Sequence, residues 1–220
     1  MINGRARLYI DITNSCNLKC PFCCANSSPT NTRFMSIDLF KSIINNDEHA
    51  ELEIQIEGGE PSINKDLWDM IKFCDSNERI KKVTILHNCT KINDFITFFK
   101  NETFTKVIEL KLSLNFHLLK LFPDLVSRIE NAHIQLKDTK FVRVHVNARY
   151  REDNTEDDEM IKAMYMTSVP TSRIFVCDFC NYGRATEFEK PCSEWLGYAS
   201  DGKFFGSDTD GRFKYEKTLA

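Results

Sequence analysis

Three cysteines lie within eight residues in "CNLKCPFC": Cys16, Cys20 and Cys23, at spacings of four and three. Thiolates this close together bind metal, and a 4Fe–4S cluster ordinarily takes four of them. A loop that supplies only three covers three corners of the cube and leaves one iron open to bind a small molecule and pass it an electron. A zinc ion completed by a distant Cys or His, or thiols that meet without metal, are the other readings of the triplet alone. A second group follows late in the chain. Cys177 and Cys180 bracket Asp-Phe, and eleven residues separate Cys180 from Cys192. These three read as a second 4Fe–4S cluster, as a zinc site with a borrowed ligand, or as buried thiols. Cys24 is a bystander beside a ligand, and Cys74 falls on an apolar helical stripe and reads as core.

Something must hold these thiols, and the chain's periodicity supplies it. Apolar runs with strand character occur at 7–12, 52–57, 82–87, 107–114, 141–147 and 172–177. Helical spacing fills the gaps. Leu67, Met70, Ile71 and Cys74 share one face, as do Ile92, Phe95, Ile96 and Phe99. Ser36 and Thr155 read as N-caps, and Pro123 as a first helical residue. Six strands alternating with five helices imply right-handed βαβ units and a parallel sheet. The fold class expected is α/β, a partial (β/α)6 barrel left open, with a small C-terminal β-hairpin extension signalled by "SDGKFF" and "TDGRFK". Ligands of such sheets bind beyond the carboxyl ends of the strands. The cysteine triplet follows the first strand there, "GGEP" the second and "HNC" the third. Ser113 and Asn115 end the fourth strand, His145 and Asn147 the fifth, and Cys177 the sixth.

The bulk numbers exclude several classes. A chain of 220 residues buries one sizeable core, so one main domain over 1–177 and an extension over 178–220 are expected. A net charge of −3 gives no basic field for nucleic acid. No run approaches the ~20 apolar residues that span a bilayer. No export signal is visible, so the expected compartment is the reducing cytoplasm, where nine cysteines mean metal or thiol chemistry.

With these residues in view, the sequence resembles the radical S-adenosylmethionine (radical SAM) superfamily over roughly residues 6–177. "IDITNSCNLKCPFC" is similar to the family's first strand and cluster loop, with the aromatic Phe22 before the last cysteine. "RFMSIDLF" is similar to the segment opening its first helix, and "IEGGEP" to its glycine-rich turn after the second strand. "LHNCT" stands where the family often has Thr-Asn-Gly, so Asn88 alone carries over from that turn. The resemblance implies that Cys16, Cys20 and Cys23 hold three irons while the fourth chelates the methionine end of SAM. Gly58 and Gly59, without Cβ atoms, would let backbone approach that methionine, and Pro61 completes the turn. Glu60 would hold the ammonium or stiffen the loop. Ser113 or Asn115 would meet ribose or carboxylate, and Asn147 with His145 the nucleoside. Cys89 reads either as a thiol that returns hydrogen to a substrate radical or as ordinary packing. Cys177, Cys180 and Cys192 resemble the family's shortened auxiliary-cluster region (twitch, or truncated SPASM), although no cysteine follows the Asp-Gly turn at 201–202.

The function implied is reductive cleavage of SAM to a 5′-deoxyadenosyl radical that abstracts hydrogen from a peptide or protein. The electron would come from a donor such as flavodoxin or ferredoxin. A second reading is a nucleotide or small metabolite in cofactor biosynthesis, with Arg184, Lys190 and Arg212 meeting phosphates. Glycyl-radical activation is a minor variant. From another class, a non-catalytic zinc or iron–sulfur module would bind a partner without cleaving SAM.

Overall fold

The computed structural model describes residues 2–150, 155–178, 184, 196–198, 200–201, 203–207 and 213–218. In chain order the elements are β1 (Ile2–Thr13), α1 (Ile37–Asn46), β2 (His49–Gly58), α2 (Leu67–Ser76), β3 (Ile80–His87) and α3 (Ile92–Asn101). Next come β4 (Ile108–Leu114), α4 (Phe116–Leu121), α5 (Leu125–Leu136), β5 (Val142–Tyr150), α6 (Thr155–Tyr165) and β6 (Ile174–Asp178). Three further strands close the series: β7 (Leu196–Tyr198), β8 (Lys203–Ser207) and β9 (Phe213–Thr218). The class is α/β with six parallel strands and a sheet that does not close, in keeping with a partial (β/α)6 barrel. By contacts the chain forms two compact units, Met1–Ile85 with Cys180–Ala220, and Leu86–Phe179.

In the first unit, period-two alternation decides which way each side chain faces. Leu8, Ile10 and Ile12 of β1 and Leu52, Ile54 and Ile56 of β2 are buried. Each such Leu or Ile contributes roughly 1.5–3 kcal/mol by leaving water. The intervening positions carry charge. Arg5 pairs with Glu51 at 3.0 Å and Arg7 with Glu53 at 2.6 Å, directly across the parallel register. α1 starts where Ser36 accepts the Leu39 N–H at 3.2 Å, and it buries Phe40, Ile43 and Ile44. α2 buries Leu67, Met70, Ile71 and Cys74, the stripe read from the sequence. β7 adds to β1 in parallel, and β8 and β9 follow antiparallel, so the C-terminal hairpin strands extend the sheet past β1.

In the second unit, β4, β5 and β6 pair in parallel. Leu110 and Leu112 lie opposite Val144 and Val146 and are buried. α3 and α5 support them through Phe95, Phe99, Ile129 and Leu136. Two sequence expectations change here. Between β4 and β5 stand two helices, because Asn115 caps the short α4 that six residues alone did not announce. Pro123 lies outside α5, whose N-cap is Asp124, so the proline sits in the turn before the helix and does not open it. Thr155 falls inside the span of α6. No helix among the described residues is long and apolar enough to cross a membrane.

Candidate functional site

The three-thiol loop leaves the sheet at Thr13 and returns at Phe34, where the two residues form an antiparallel bridge. Its neck is closed by polar groups. The Thr13 hydroxyl donates to the Arg33 carbonyl at 2.8 Å and accepts the Ser15 N–H at 3.0 Å. Asn14 and Arg33 exchange two more bonds. Cys16 N–H donates to the Ser28 carbonyl, and Asn31 donates to the carbonyls of Asn14 and Asn26. Asn26 takes the left-handed conformation, φ 51°, that asparagine tolerates. With backbone and amides holding the loop, Cys16, Cys20 and Cys23 are half-buried and in no disulfide.

Electrostatics say what these thiols want. Burial pushes the Cys20 thiol up to about 12, and Cys23 and Cys16 push the same way, while the Arg184 guanidinium pulls it back down. A thiol this hard to ionise alone becomes a thiolate when a metal supplies the positive charge. Leu18 N–H donates to Cys16 Sγ and Ser27 N–H to Cys23 Sγ, both at 3.4 Å. Hydrogen bonds of this kind tune iron–sulfur clusters. No three His, Cys, Asp or Glu side chains among the described residues gather tightly enough for a single metal ion. In a cubane each thiolate binds a different iron, so the donor set fits three corners of a 4Fe–4S cluster.

The glycine-rich turn is fastened to this loop. Gly59 N–H donates to the Thr13 carbonyl at 2.7 Å, and Glu60 N–H to the Ser15 carbonyl at 2.9 Å. A Cβ at Gly59 would lie 1.9 Å from the Ser15 oxygen, and one at Gly58, where φ is 114°, 2.4 Å from the Thr13 oxygen. The space a side chain would need is filled by β1's continuation, a requirement the sequence reading had assigned to a ligand. Glu60 is fully buried and stiffens the turn, accepting from Ser62 N–H at 3.0 Å and Ser62 Oγ at 2.7 Å. Pro61 begins the short 3-10 turn, and Phe22 is buried in the cysteine loop. One residue that the sequence did not single out completes the assembly. Asn64, buried, donates to the carbonyls of Ile12 and Met35 at 2.9 Å each and accepts Asp66 N–H.

Also in the first unit, Asp11 faces Glu57 across the β1–β2 register. Asp11 keeps some accessible surface but is densely enclosed. Burial, then the Glu57 charge, hold its carboxyl well above the usual range. Alternation puts both acids on one face, a signal readable in the sequence but passed over.

The second unit positions its candidates differently. Cys89 is buried at a left-handed φ of 66°, and its thiol points to the Ser113 carbonyl at 3.8 Å. A glycine would meet that backbone without strain. Asn88 Oδ1 accepts from Thr90 N–H and Oγ1, closing a turn. Asn115 lies past β4 and caps α4 through Leu118 N–H at 2.9 Å. Ser113 and Asn147 are register partners, so their side chains share a face. His145, also buried, lies 3.7 Å from Glu109 and stacks on Phe175.

Of the second cysteine group, Cys177 lies in β6, while Cys180 and Cys192 fall outside the described residues, as do Lys190 and Arg212. Arg184, considered for phosphate, is committed elsewhere: its guanidinium donates to the Cys20 carbonyl, Asn26 Oδ1 and the Ser27 carbonyl.

Known proteins resemble this chain in sequence and in fold. Residues 10–118 match the sequence profile of the Radical SAM superfamily. An uncharacterized protein of Methanocaldococcus jannaschii is 32% identical over 103 residues, covering 44% of this chain and 35% of its own. Among solved structures, SuiB of Streptococcus suis bound to precursor peptide SuiA superposes with a TM-score of 0.61 at 20% identity, over 85% of this chain and 42% of that one. Native anSMEcpe with bound AdoMet and the Cp18Cys peptide gives 0.56 at 15% identity, over 80% and 52%. The chain thus spans about a third to a half of the length of these relatives. The matched segment holds the three thiols and the glycine turn pinned beside them, and residues 10–118 of this chain are a radical SAM superfamily domain.

Proposed function

We propose that this chain is a radical SAM enzyme that binds a 4Fe–4S cluster through Cys16, Cys20 and Cys23 and modifies a peptide or protein. The observation that carries the reading is the cysteine loop locked to the glycine turn by the Gly59 and Glu60 N–H groups. When bound, the cluster supplies one-electron reduction of the SAM sulfonium, releasing methionine and a 5′-deoxyadenosyl radical. The chain's own residues hold and enclose. Phe22 and Pro61 keep water from the loop, and Gly58 and Gly59 bring the turn's backbone to the cofactor. Ser113 and Asn147 contact the nucleoside, Asn115 keeps amide hydrogens for it, and Asn88 and His145 orient the surroundings. Cys89, buried and bonded to a carbonyl, is a packing residue. A peptide substrate is supported by two structural neighbours, which were solved with peptides bound. A cytoplasmic setting, a flavodoxin or ferredoxin donor and a division into a core of 1–177 and an extension of 178–220 accompany this reading. Cys177 at the end of that core, with Cys180 and Cys192 of the extension, holds a second 4Fe–4S cluster.

Anaerobically reconstituted protein reduced with dithionite should form 5′-deoxyadenosine from SAM, and Cys20→Ala should form none. Equal yields from the two would end the enzymatic reading. Iron analysis should give about eight irons per chain, falling by about half in Cys177→Ser or Cys192→Ser. A wild-type count near four would remove the second cluster. Peptides should bind in preference to nucleotides, and the reverse order would move the substrate to a small metabolite.

A further inference from the structure

Arg184 supports the cysteine loop from far along the chain. It lies 164 residues from Cys20 in sequence, yet four of its donors end on that loop. Its backbone N–H donates to the Cys23 carbonyl at 3.1 Å, and Nε to the Cys20 carbonyl at 2.9 Å. Nη1 reaches Asn26 Oδ1 at 2.9 Å and Nη2 the Ser27 carbonyl at 2.5 Å. The fork therefore grips both ends of the turn that carries Cys23. Ser27, which it holds by the carbonyl, is the residue whose N–H donates to Cys23 Sγ. Nearby, Arg33 on the same loop pairs with Asp201 at 2.8 Å, a second tie between this loop and the late chain.

We propose that Arg184 is the positioning residue of the cluster loop: it fixes the Cys20 and Cys23 backbone and the Ser27 N–H donor before any iron arrives, and its charge eases reduction of the bound cluster. A planar, permanently charged fork suits this role because it satisfies several carbonyls at fixed angles. A positive charge beside thiolates stabilises whichever state carries more negative charge, which in a cluster is the reduced one. The Arg184 guanidinium stands beside the Cys20 backbone, its Nε 2.9 Å from that carbonyl. The charge half of the proposal rests on the radical SAM reading above, and the loop half does not.

The test uses the full chain with Arg184→Ala, Arg184→Gln and Arg184→Lys. In metal-free protein, amide hydrogen exchange over residues 16–28 should quicken about tenfold or more in the Ala variant, while exchange in β4 and β5 stays as in wild type. Unchanged exchange in the loop would overturn the clamp, and faster exchange throughout would reduce Arg184 to a general stability role. In reconstituted protein, titration followed by the electron paramagnetic resonance of the reduced cluster should give lower midpoint potentials for Ala and Gln than for wild type. The Lys variant should keep the wild-type potential while its loop still exchanges fast, because it retains the charge and loses the fork. Equal potentials in all four proteins would overturn the electrostatic half. If wild type yields no cluster signal, the radical SAM reading fails and the charge role with it. The exchange result still decides the clamp.

Discussion

The two compact units hold their candidate residues by opposite means. Beyond β1, backbone amides, Asn14, Asn31 and Asn64 carry the structural bonds, and the three thiols of the loop are half-buried. At the strand ends of the second unit, the polar side chains themselves do the structural work. Asn115 caps a helix, Asn88 closes a turn, and His145 sits against Glu109 and Phe175. A polar side chain that builds the scaffold has fewer lone pairs and protons to offer a cofactor. By that measure the candidate ligands of the first unit are its thiols, whereas the polar candidates at these strand ends of the second unit are scaffold before they are ligands.

The comparison breaks first at Gly59. If the thiol loop is placed by backbone contact, Gly59→Ala drives a Cβ into the Ser15 carbonyl and should destabilise the metal-free chain by about 3 kcal/mol or more in urea unfolding, with iron uptake lost. An alanine variant that loads iron normally would show that the close approach is dispensable. Next in size is Asn64→Ala, which strips the Ile12 and Met35 carbonyls and the Asp66 N–H of a buried partner and should cost about 2–4 kcal/mol. Asn64→Asp should not rescue it, because a carboxylate has no hydrogens for the two carbonyls. Rescue by aspartate would mean that the Asp66 contact alone matters.

These two positions also mark where sequence reading stopped. Local periodicity is enough for six strands and for the α2 stripe, because each face is set by residues within a few positions of one another. Ser36 was legible as a cap for the same reason. Cysteine spacing marked the three-thiol loop directly. The purpose of Gly59 was not local: its neighbour is Ser15, and nothing in "GGEP" says that a carbonyl fills the missing side chain's place. Asn64 looked like one more turn residue, and Arg184 like a scattered surface cation, because their partners lie 52 and 164 residues away. The helix α4 stayed hidden because six residues give too little periodicity to separate it from a loop.

In the second unit the matching test is Asn115. Asn115→Ala removes the cap of α4 and should destabilise by about 1 kcal/mol, whereas Asn115→Ser restores an N-cap oxygen and should recover most of it. SAM affinity, measured by calorimetry on reconstituted protein, sharpens the contrast. The amide hydrogens not used by the cap are present only in wild type, so Ala and Ser should weaken binding alike. Wild-type affinity in the Ser variant would confine Asn115 to the scaffold.

The smallest effect concerns a place where the first unit sets two like charges against each other across a sheet register. Asp11 stands opposite Glu57, and burial followed by the Glu57 charge raises its carboxyl well above its ordinary 3.8. The folded chain thus binds this proton more tightly than the unfolded chain does. Asp11 contributes that stability in full below the ordinary value, and the contribution is lost as pH rises through the raised one. Asp11→Asn keeps a neutral group of the same shape and has no proton to lose. Urea unfolding of the metal-free proteins should therefore give similar stabilities near pH 4, with the Asn variant pulling ahead as pH rises toward 8. A difference that stays flat across that range would mean that Asp11 ionises as freely in the fold as in the unfolded chain. The acid pair would then be solvated, and this face of β1 and β2 would be open to water.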